Sequence, residues 1–146
     1  MNIKKILSEV LNIVSNEKKK IKSNYGEDKD FVYWTPDGIR MYKIPQKDFL
    51  IDLQKALPNK TPINDPHKFF NYGKCELAIK TDEIKVIDKE QVVKIKSEKS
   101  HAWVNIKYLK EFESDCTFKI FNSKNPVFVY EYDELVGLVI PVTIKE

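Results

Sequence analysis

The chain has 146 residues, a length typical of a single domain that buries a sizeable core. Apolar residues make up 42% of it and aromatic residues 12%, which excludes an intrinsically disordered chain. The formal net charge is only +3, and Arg40 is the single arginine among 25 basic residues. This small excess of positive charge argues against tight binding to nucleic acid by electrostatics alone.

The sequence does not indicate membrane insertion or secretion. The longest apolar run, Leu135 to Val142, has eight residues, whereas a membrane span needs about 20. Met1 to Leu7 is similar to the start of a signal peptide, but Glu9 and Asn12 interrupt the apolar region that would follow. We therefore expect a soluble, cytoplasmic protein without a membrane partner.

The residues that commonly bind metals or carry out catalysis do not form a known pattern. Cys75 and Cys116 lack the close spacing of a zinc knuckle or a redox motif, and together with His67 and His101 they would form a metal site only by a coincidence of the fold. We expect buried, reduced thiols, no metal and no cofactor. The sequence contains no phosphate loop, paired acids or Ser/His/Asp arrangement, so it does not predict an enzyme.

The segment from Asn2 to about Asn16 has the clearest helical pattern. Its apolar residues recur at intervals of three and four, which predicts an amphipathic helix whose apolar stripe docks on a sheet. Residues 17–22 extend this helix with positive charge, and Ser23 to Asp30, which includes Gly26, is predicted to be a loop. The stripe consists of Ile3, Ile6, Leu7, Val10, Leu11 and Val14.

The next elements are a hairpin and a second helix. Phe31 to Pro45 is predicted to be a strand broken by a turn, because Pro36-Asp37-Gly38 has turn chemistry. The second helix is predicted from about Gln46 to Leu57, and Pro58 ends it. Residues 59–72 are expected to form a surface excursion.

The second half of the chain is rich in strand patterns. A short third helix is expected among them, with Asn105 as its cap and Tyr108, Leu109 and Phe112 on one face. The order of elements predicts one α+β domain spanning residues 1–146, in which an antiparallel sheet carries amphipathic helices on one face. Strands are predicted at Cys75–Ile79, Ile84–Ile87, Val92–Ile95, Cys116–Phe121, Asn125–Tyr130 and Leu135–Val142.

Several of these segments resemble bacterial β sliding clamps, the ring-shaped processivity factors of replicative DNA polymerases. Residues 35–41 are similar to the Thr-Asp-Gly-x-Arg-Leu strand end of that family, with Pro36 inserted after the threonine. Asn105 with Tyr108-Leu109 matches its Asn-x-x-Tyr-Leu helix. Asn125-Pro126-Val127 resembles a strand start of the family, and Ile140-Pro141-Val142 its carboxyl-terminal Met-Pro-Met.

The resemblance is closest to the last clamp domain, over residues 100–143, and the first half of the chain is reduced. Full bacterial clamps are more than twice as long, so the chain is similar to a reduced, phage- or plasmid-type relative. The resemblance implies a DNA-clamp-like fold and a role as a processivity or tethering factor in DNA replication. It also implies a homo-oligomer, because family rings contain six copies of one domain shape.

In the clamp family these segments form a pocket that captures short peptides of DNA polymerase and of repair proteins. Here the resemblance implies that an apolar slot includes Met41, Ile140, Pro141 and Val142, while Arg40 and the Tyr108 hydroxyl orient the peptide's polar groups. The alternative is that these residues simply close the core. The implied peptide-binding residues are Thr35, Gly38, Arg40, Met41, Asn105, Tyr108, Pro126, Val127, Ile140, Pro141 and Val142.

Lysines on the first and third helices are candidates for weak, sequence-independent contact with duplex DNA, since phosphate neutralisation requires only positive charge on one face. The alternative is that they form solvated helix faces. The candidates are Lys4, Lys5, Lys18, Lys19, Lys20, Lys22, Lys107 and Lys110.

Two other functions are compatible with the sequence. One is a phage or plasmid interaction module or decoy that inhibits host replication or defence, with a clamp-like fold that does not encircle DNA. The other is a small, non-specific DNA-binding protein. The absence of an enzyme signature separates none of these functions from a true clamp.

Overall fold

The structure is a computed structural model that describes residues 1–71 and 73–145. It divides into two compact units. The amino-terminal unit comprises Asn2–Asn71, and the carboxyl-terminal unit comprises Met1 and the described residues from Gly73 onward. Helices and antiparallel strand pairs are both present, which confirms the predicted α+β class. Among the described residues, no helix has the length and apolar character needed to cross a membrane.

The amino-terminal unit begins with helix α1, Ile3–Val14, as the apolar periodicity predicts. The Asn2 side chain caps it by accepting a hydrogen bond from the Lys5 amide at 3.1 Å. Ile6 and Val10 of its apolar stripe are buried, together with Ile13, which the stripe does not include, whereas Leu11 of the stripe is 57% exposed. Helix α2, Glu17–Lys20, is a separate turn because the Asn16 side chain caps it anew.

Strands β1, β2 and β3 of this unit are Asn24–Glu27, Phe31–Thr35 and Arg40–Pro45, paired in sequence order. The predicted hairpin is therefore confirmed. The prediction of a loop at 23–30 is wrong for β1, because a second segment covers this strand. The Ile63 amide donates to the Tyr25 carbonyl at 2.7 Å.

The predicted continuous helix over residues 46–57 is also wrong. The chain forms a short 3-10 helix, Gln46–Asp48, and then a single α-helical turn, α3, Leu53–Ala56. Phe49 between them is extended and only 7% exposed, whereas Leu50 is 81% exposed. The break reflects local capping, since the Asp52 side chain accepts a hydrogen bond from the Lys55 amide and starts a new helix. A further 3-10 helix, Pro66–Phe70, precedes the end of the unit.

The carboxyl-terminal unit contains six antiparallel strands in the spatial order β9-β8-β7-β4-β5-β6. The Val142 amide, beyond β9, donates to the Trp103 carbonyl of β6 at 2.7 Å. The two ends of the strand order therefore meet. The strands are β4 Glu76–Ile87, β5 Glu90–Lys96, β6 His101–Asn105, β7 Thr117–Ile120, β8 Val127–Glu131 and β9 Glu134–Val139.

The last three predicted strands are confirmed with small shifts of their ends. The two strands predicted at 75–79 and 84–87 are instead one strand, β4, which contains a bulge between Lys80 and Ile84. The predicted third helix begins directly after its cap Asn105, but it is only a 3-10 turn, Ile106–Leu109, and residues 101–105 before it form β6, which the sequence did not predict. Four consecutive residues of β6 are buried, so both faces are covered and no alternation reveals the strand.

Candidate peptide-binding site

The resembling residues of the carboxyl-terminal unit lie around one end of its sheet. The hydrogen bond between Val142 and Trp103 holds the tripeptide Ile140-Pro141-Val142 against β6, the strand that leads into the 3-10 helix. Val127 pairs with Val139, so the residues that follow in each direction, Pro126 and Ile140, lie beside that pair. The fold thus brings the strand start and the tripeptide together.

Asn105 has the capping role that the sequence predicts. Its side-chain oxygen accepts a hydrogen bond from the Lys107 amide at 3.1 Å, and the residue is 7% exposed. The cap determines where β6 ends and where the turn that carries Tyr108 begins. Asn105 therefore has a positioning role, and its buried side chain is engaged with backbone.

The candidate residues of this unit differ in accessibility. Ile140 is 39% exposed, and Pro141 and Val142 are half-buried. Tyr108 is also half-buried, whereas Val127 is 0% exposed and belongs to the core. An external ligand would therefore meet Ile140 before any other apolar residue of the tripeptide.

A lysine next to Tyr108 is already paired. The Lys107 ammonium lies 2.9 Å from a Glu90 carboxylate oxygen and 5.2 Å from the centre of the Tyr108 ring. The hydrogen bond between Lys107 and Glu90 raises the pKa of Lys107 and lowers the pKa of Glu90. Lys107 consequently offers less free charge to DNA than the sequence suggests.

The resembling residues of the amino-terminal unit form the turn between β2 and β3. The Thr35 hydroxyl accepts a hydrogen bond from the Gly38 amide at 2.8 Å, and Gly38 has a φ of +80°, which glycine adopts without strain. The Asp37 carboxylate accepts from the Ile39 amide at 2.9 Å. Thr35 and Gly38 therefore shape the turn, and Pro36 is accommodated within it.

Arg40 is held by two carboxylates of its own unit. Its guanidinium lies 2.9 Å from a Glu9 oxygen and 3.4 Å from an Asp37 oxygen, and its side chain is 11% exposed. The neighbouring Met41 is 7% exposed. The predicted contacts of Arg40 and Met41 with a peptide stay predictions, as does a pocket that draws on both units.

The candidate DNA-binding lysines are mostly solvent-exposed. On the first two helices Lys20 is half-buried and lies 3.1 Å from the Glu17 carboxylate. In the other unit Lys107 is paired as described, and Lys110 is exposed. The remaining exposed candidates are Lys4, Lys5, Lys18, Lys19 and Lys22.

The cysteines are reduced, and both are half-buried. Burial raises the pKa of Cys116 to about 11, so its thiol is protonated at neutral pH. Burial also raises the pKa of Cys75. Within residues 1–71 and 73–145, no three His, Cys, Asp or Glu residues are grouped closely enough to hold a metal ion.

The strand predictions did not identify the exposed aliphatic residues of β4. Ile84 and Val86, on β4, are 54% and 68% exposed, although their spacing suggests a half-buried strand. Only the exposed area distinguishes them from core residues.

Comparison of the chain with models of known protein families, with curated proteins and with solved structures finds no match.

Proposed function

We propose that this chain is a small, sliding-clamp-like protein of DNA replication that captures short peptide motifs of a DNA polymerase and of other partners. The proposal includes a DNA-clamp-like fold and a cytoplasmic location. The observation that supports it best is the Val142–Trp103 hydrogen bond, which brings the tripeptide of residues 140–142 next to the strand that ends in Asn105. Three segments that resemble the clamp family thereby come together in one unit.

The accessible residues at this place have the chemistry of a peptide site. Ile140 is partly exposed, and Pro141 and Val142 flank it with further half-buried apolar surface. Tyr108 adds an aromatic ring and a hydroxyl group. Binding hot spots commonly combine a few apolar anchors with a polar group that orients the ligand.

The amino-terminal unit contributes Met41 and Arg40 in this proposal, while Thr35 and Gly38 set the shape of the turn. The hydrogen bond between Thr35 and Gly38 supports the latter role. Arg40 is already paired with Glu9 and Asp37, so a peptide carboxylate would have to compete with them.

Fluorescence anisotropy with a labelled clamp-binding peptide tests the proposal. Short motifs that lose entropy on ordering typically bind with about micromolar Kd. Ile140→Asp is expected to weaken binding at least about tenfold, because it places a charge where an apolar side chain is needed. The matched control is Ile21→Asp, at a residue that is 76% exposed and is not one of the proposed peptide-binding residues.

Both variants alter exposed isoleucines, so both are expected to fold, which circular dichroism can check. No binding by the parent chain would contradict the peptide-capture proposal. Equal weakening in Ile140→Asp and Ile21→Asp would contradict the location of the site.

The proposal also includes weak contact with duplex DNA and assembly into a ring. The exposed lysines Lys18, Lys19 and Lys22 offer positive charge on one short segment. Reversing them to glutamate should weaken DNA binding for all sequences alike and reduce its salt dependence. Light scattering tests the ring, because a monomer at micromolar concentration is incompatible with it.

An interaction module or decoy that does not encircle DNA is the second candidate. The pairing of Lys107 with Glu90 and of Lys20 with Glu17 favours it, because both pairs reduce the charge available to phosphates. A monomer that still binds the clamp-binding peptide would support this candidate. DNA binding without peptide binding would instead favour the small, non-specific DNA-binding protein.

A further inference from the structure

Strand β4 contains a wide bulge opposite Lys94 of β5. Lys80 pairs with Ile95 and Ile84 pairs with Val93, so residues 81–83 of β4 face a single residue of β5. Bulges bend a strand, redirect side chains and commonly lie beside functional sites. Here the bulge separates the first part of β4 from the exposed hairpin that β4 and β5 form beyond it.

Side-chain contacts hold the bulge in place. The Thr81 hydroxyl donates to the Lys94 carbonyl at 2.9 Å, and the Glu83 amide donates to the Thr81 oxygen at 3.2 Å. The Lys94 ammonium also lies 3.2 Å from a Glu83 carboxylate oxygen. These bonds compensate for the lost ladder hydrogen bonds, so the bulge is a defined feature of the strand.

An open groove of about 440 Å³ lies between the bulge and the 3-10 helix Ile106–Leu109. This volume lies within the roughly 300–1,000 Å³ of typical ligand pockets. All the residues that line the groove belong to the carboxyl-terminal unit. Its apolar lining consists of Ile84, Val93, Ile106, Leu109 and Phe112.

Apolar surface remains accessible at this groove. Val93, directly opposite Ile84, is 2% exposed, so that pair lies on the core side of the sheet. Ile84 itself is nevertheless 54% exposed, and Val86, two residues further on the same face, is 68% exposed. The face of β4 that carries Ile84 and Val86 therefore continues beyond the part of the sheet that the core covers. Its aliphatic side chains are left accessible to a ligand.

The charges at the groove are mainly positive. Lys80 and Lys110 line it, and neither forms an ion pair with any residue in the described part of the chain. Asp82 is the one acidic residue among its lining residues. A ligand that carries a carboxylate beside its apolar group would be attracted to the two ammonium groups.

We propose that this groove binds a short linear peptide of a partner protein, with one large aliphatic or aromatic side chain between the bulge and the 3-10 helix and an adjacent acidic side chain near Lys80 and Lys110. A second copy of the chain fits less well, since a stable interface buries about 800 Å² on each partner. A groove of this size, with the exposed Ile84 in its lining and the exposed Val86 beside it on β4, is too small for that. The groove shares the 3-10 helix Ile106–Leu109 with the proposed site at Ile140, but none of its lining residues is one of the proposed peptide-binding residues.

The experiment selects binders from a phage-displayed library of random 12-residue peptides on the whole chain. Enriched peptides are expected to contain a large apolar residue next to Asp or Glu, and to bind in anisotropy with about micromolar Kd. Ile84→Asp is expected to weaken binding at least tenfold. Lys80→Glu combined with Lys110→Glu should weaken it by a similar factor and shift the enriched sequences towards basic residues.

Leu77→Asp is the matched control, because Leu77 is also on β4 and is 64% exposed, but its neighbour Ala78 faces the core. It should leave binding unchanged. Amide chemical shifts, recorded with an enriched peptide, should change at residues 80–84 and 106–114.

Three results would overturn the inference: no enrichment, enriched peptides that bind Ile84→Asp as well as the parent chain, or binding that is insensitive to the charge reversals. Peptides that lose affinity for Ile140→Asp but not for Ile84→Asp would overturn it as well, while supporting the proposed function. If the clamp-binding peptide does not bind but the enriched peptides bind at Ile84, the proposed function is contradicted and the groove is supported. The two proposals can therefore be separated.

Discussion

The hydrogen bond from the Val142 amide to the Trp103 carbonyl is the contact on which the proposed peptide site depends most. It is 2.7 Å long, and Trp103 is only 3% exposed. Val142→Pro removes the donor while keeping an apolar side chain of similar size. A carbonyl that is buried without its partner costs about 1–3 kcal/mol, so we expect the variant to lose stability in that range.

Val142→Thr is the matched control, because threonine has nearly the shape of valine and retains the amide hydrogen. Val142 is half-buried, so the new hydroxyl group reaches water and should cost less than about 1 kcal/mol. Urea unfolding measures both variants. For a chain of about this size, each kcal/mol should also lower Tm by roughly 2–4 °C.

Hydrogen exchange tests the same bond without a substitution. The Val142 amide should exchange more slowly than the amide of Thr143, which is an exposed residue. The reasoning is refuted if the two amides exchange at equal rates and Val142→Pro is as stable as Val142→Thr. Val142→Pro should also weaken binding of the clamp-binding peptide, because without this hydrogen bond Ile140 would lose its position.

Three other predictions concern stability. Burial of Asp28 opposes its charged form, but hydrogen bonds from the Tyr33 hydroxyl and from backbone amides outweigh it and lower the pKa of Asp28. The parent chain should therefore be more stable than Asp28→Asn at pH 7, and this advantage should disappear as the pH falls through the lowered pKa of Asp28 in acid unfolding curves. Lys89 has a φ of +68° in a two-residue hairpin turn, a conformation that glycine adopts without strain. Lys89→Gly should therefore raise the free energy of unfolding in urea by about 0.5–1 kcal/mol, and an unchanged or lower value would contradict this. A Cβ at Gly26 would lie 2.9 Å from the Ile63 carbonyl oxygen, so Gly26→Ala should cost about 1–3 kcal/mol in the same assay, and a neutral effect would mean that the covering segment moves freely.

The amino-acid sequence by itself determined the elements whose signals are local. The stripe of α1 has a helical period, and the burial of its positions Ile6 and Val10 follows from that period. The turn at Gly38 follows from the positive φ that glycine tolerates, and the alternation of Phe118 and Ile120 with Lys119 identifies β7. Each of these features depends on neighbours within a few residues.

Tertiary contacts decided the elements that the sequence did not predict. Ile63 covers the edge strand β1 by a hydrogen bond to Tyr25, which is 38 positions away, and no local pattern encodes that partner. The strand β6 is buried on both faces, so it lacks the alternation by which strands are recognised. The bulge of β4 depends on the Thr81 hydroxyl and the Lys94 carbonyl, which only the folded chain brings together.

The candidate site shows the same division between local and tertiary information. The sequence identified Asn105 as a cap and Ile140 as an apolar residue, because both properties belong to single side chains and their immediate neighbours. Only the tertiary structure decided that Ile140 is accessible, that Val127 is not, and that Arg40 is paired with Glu9. Accessibility and pairing are determined by residues distant in sequence, and a single sequence does not specify which distant residues meet.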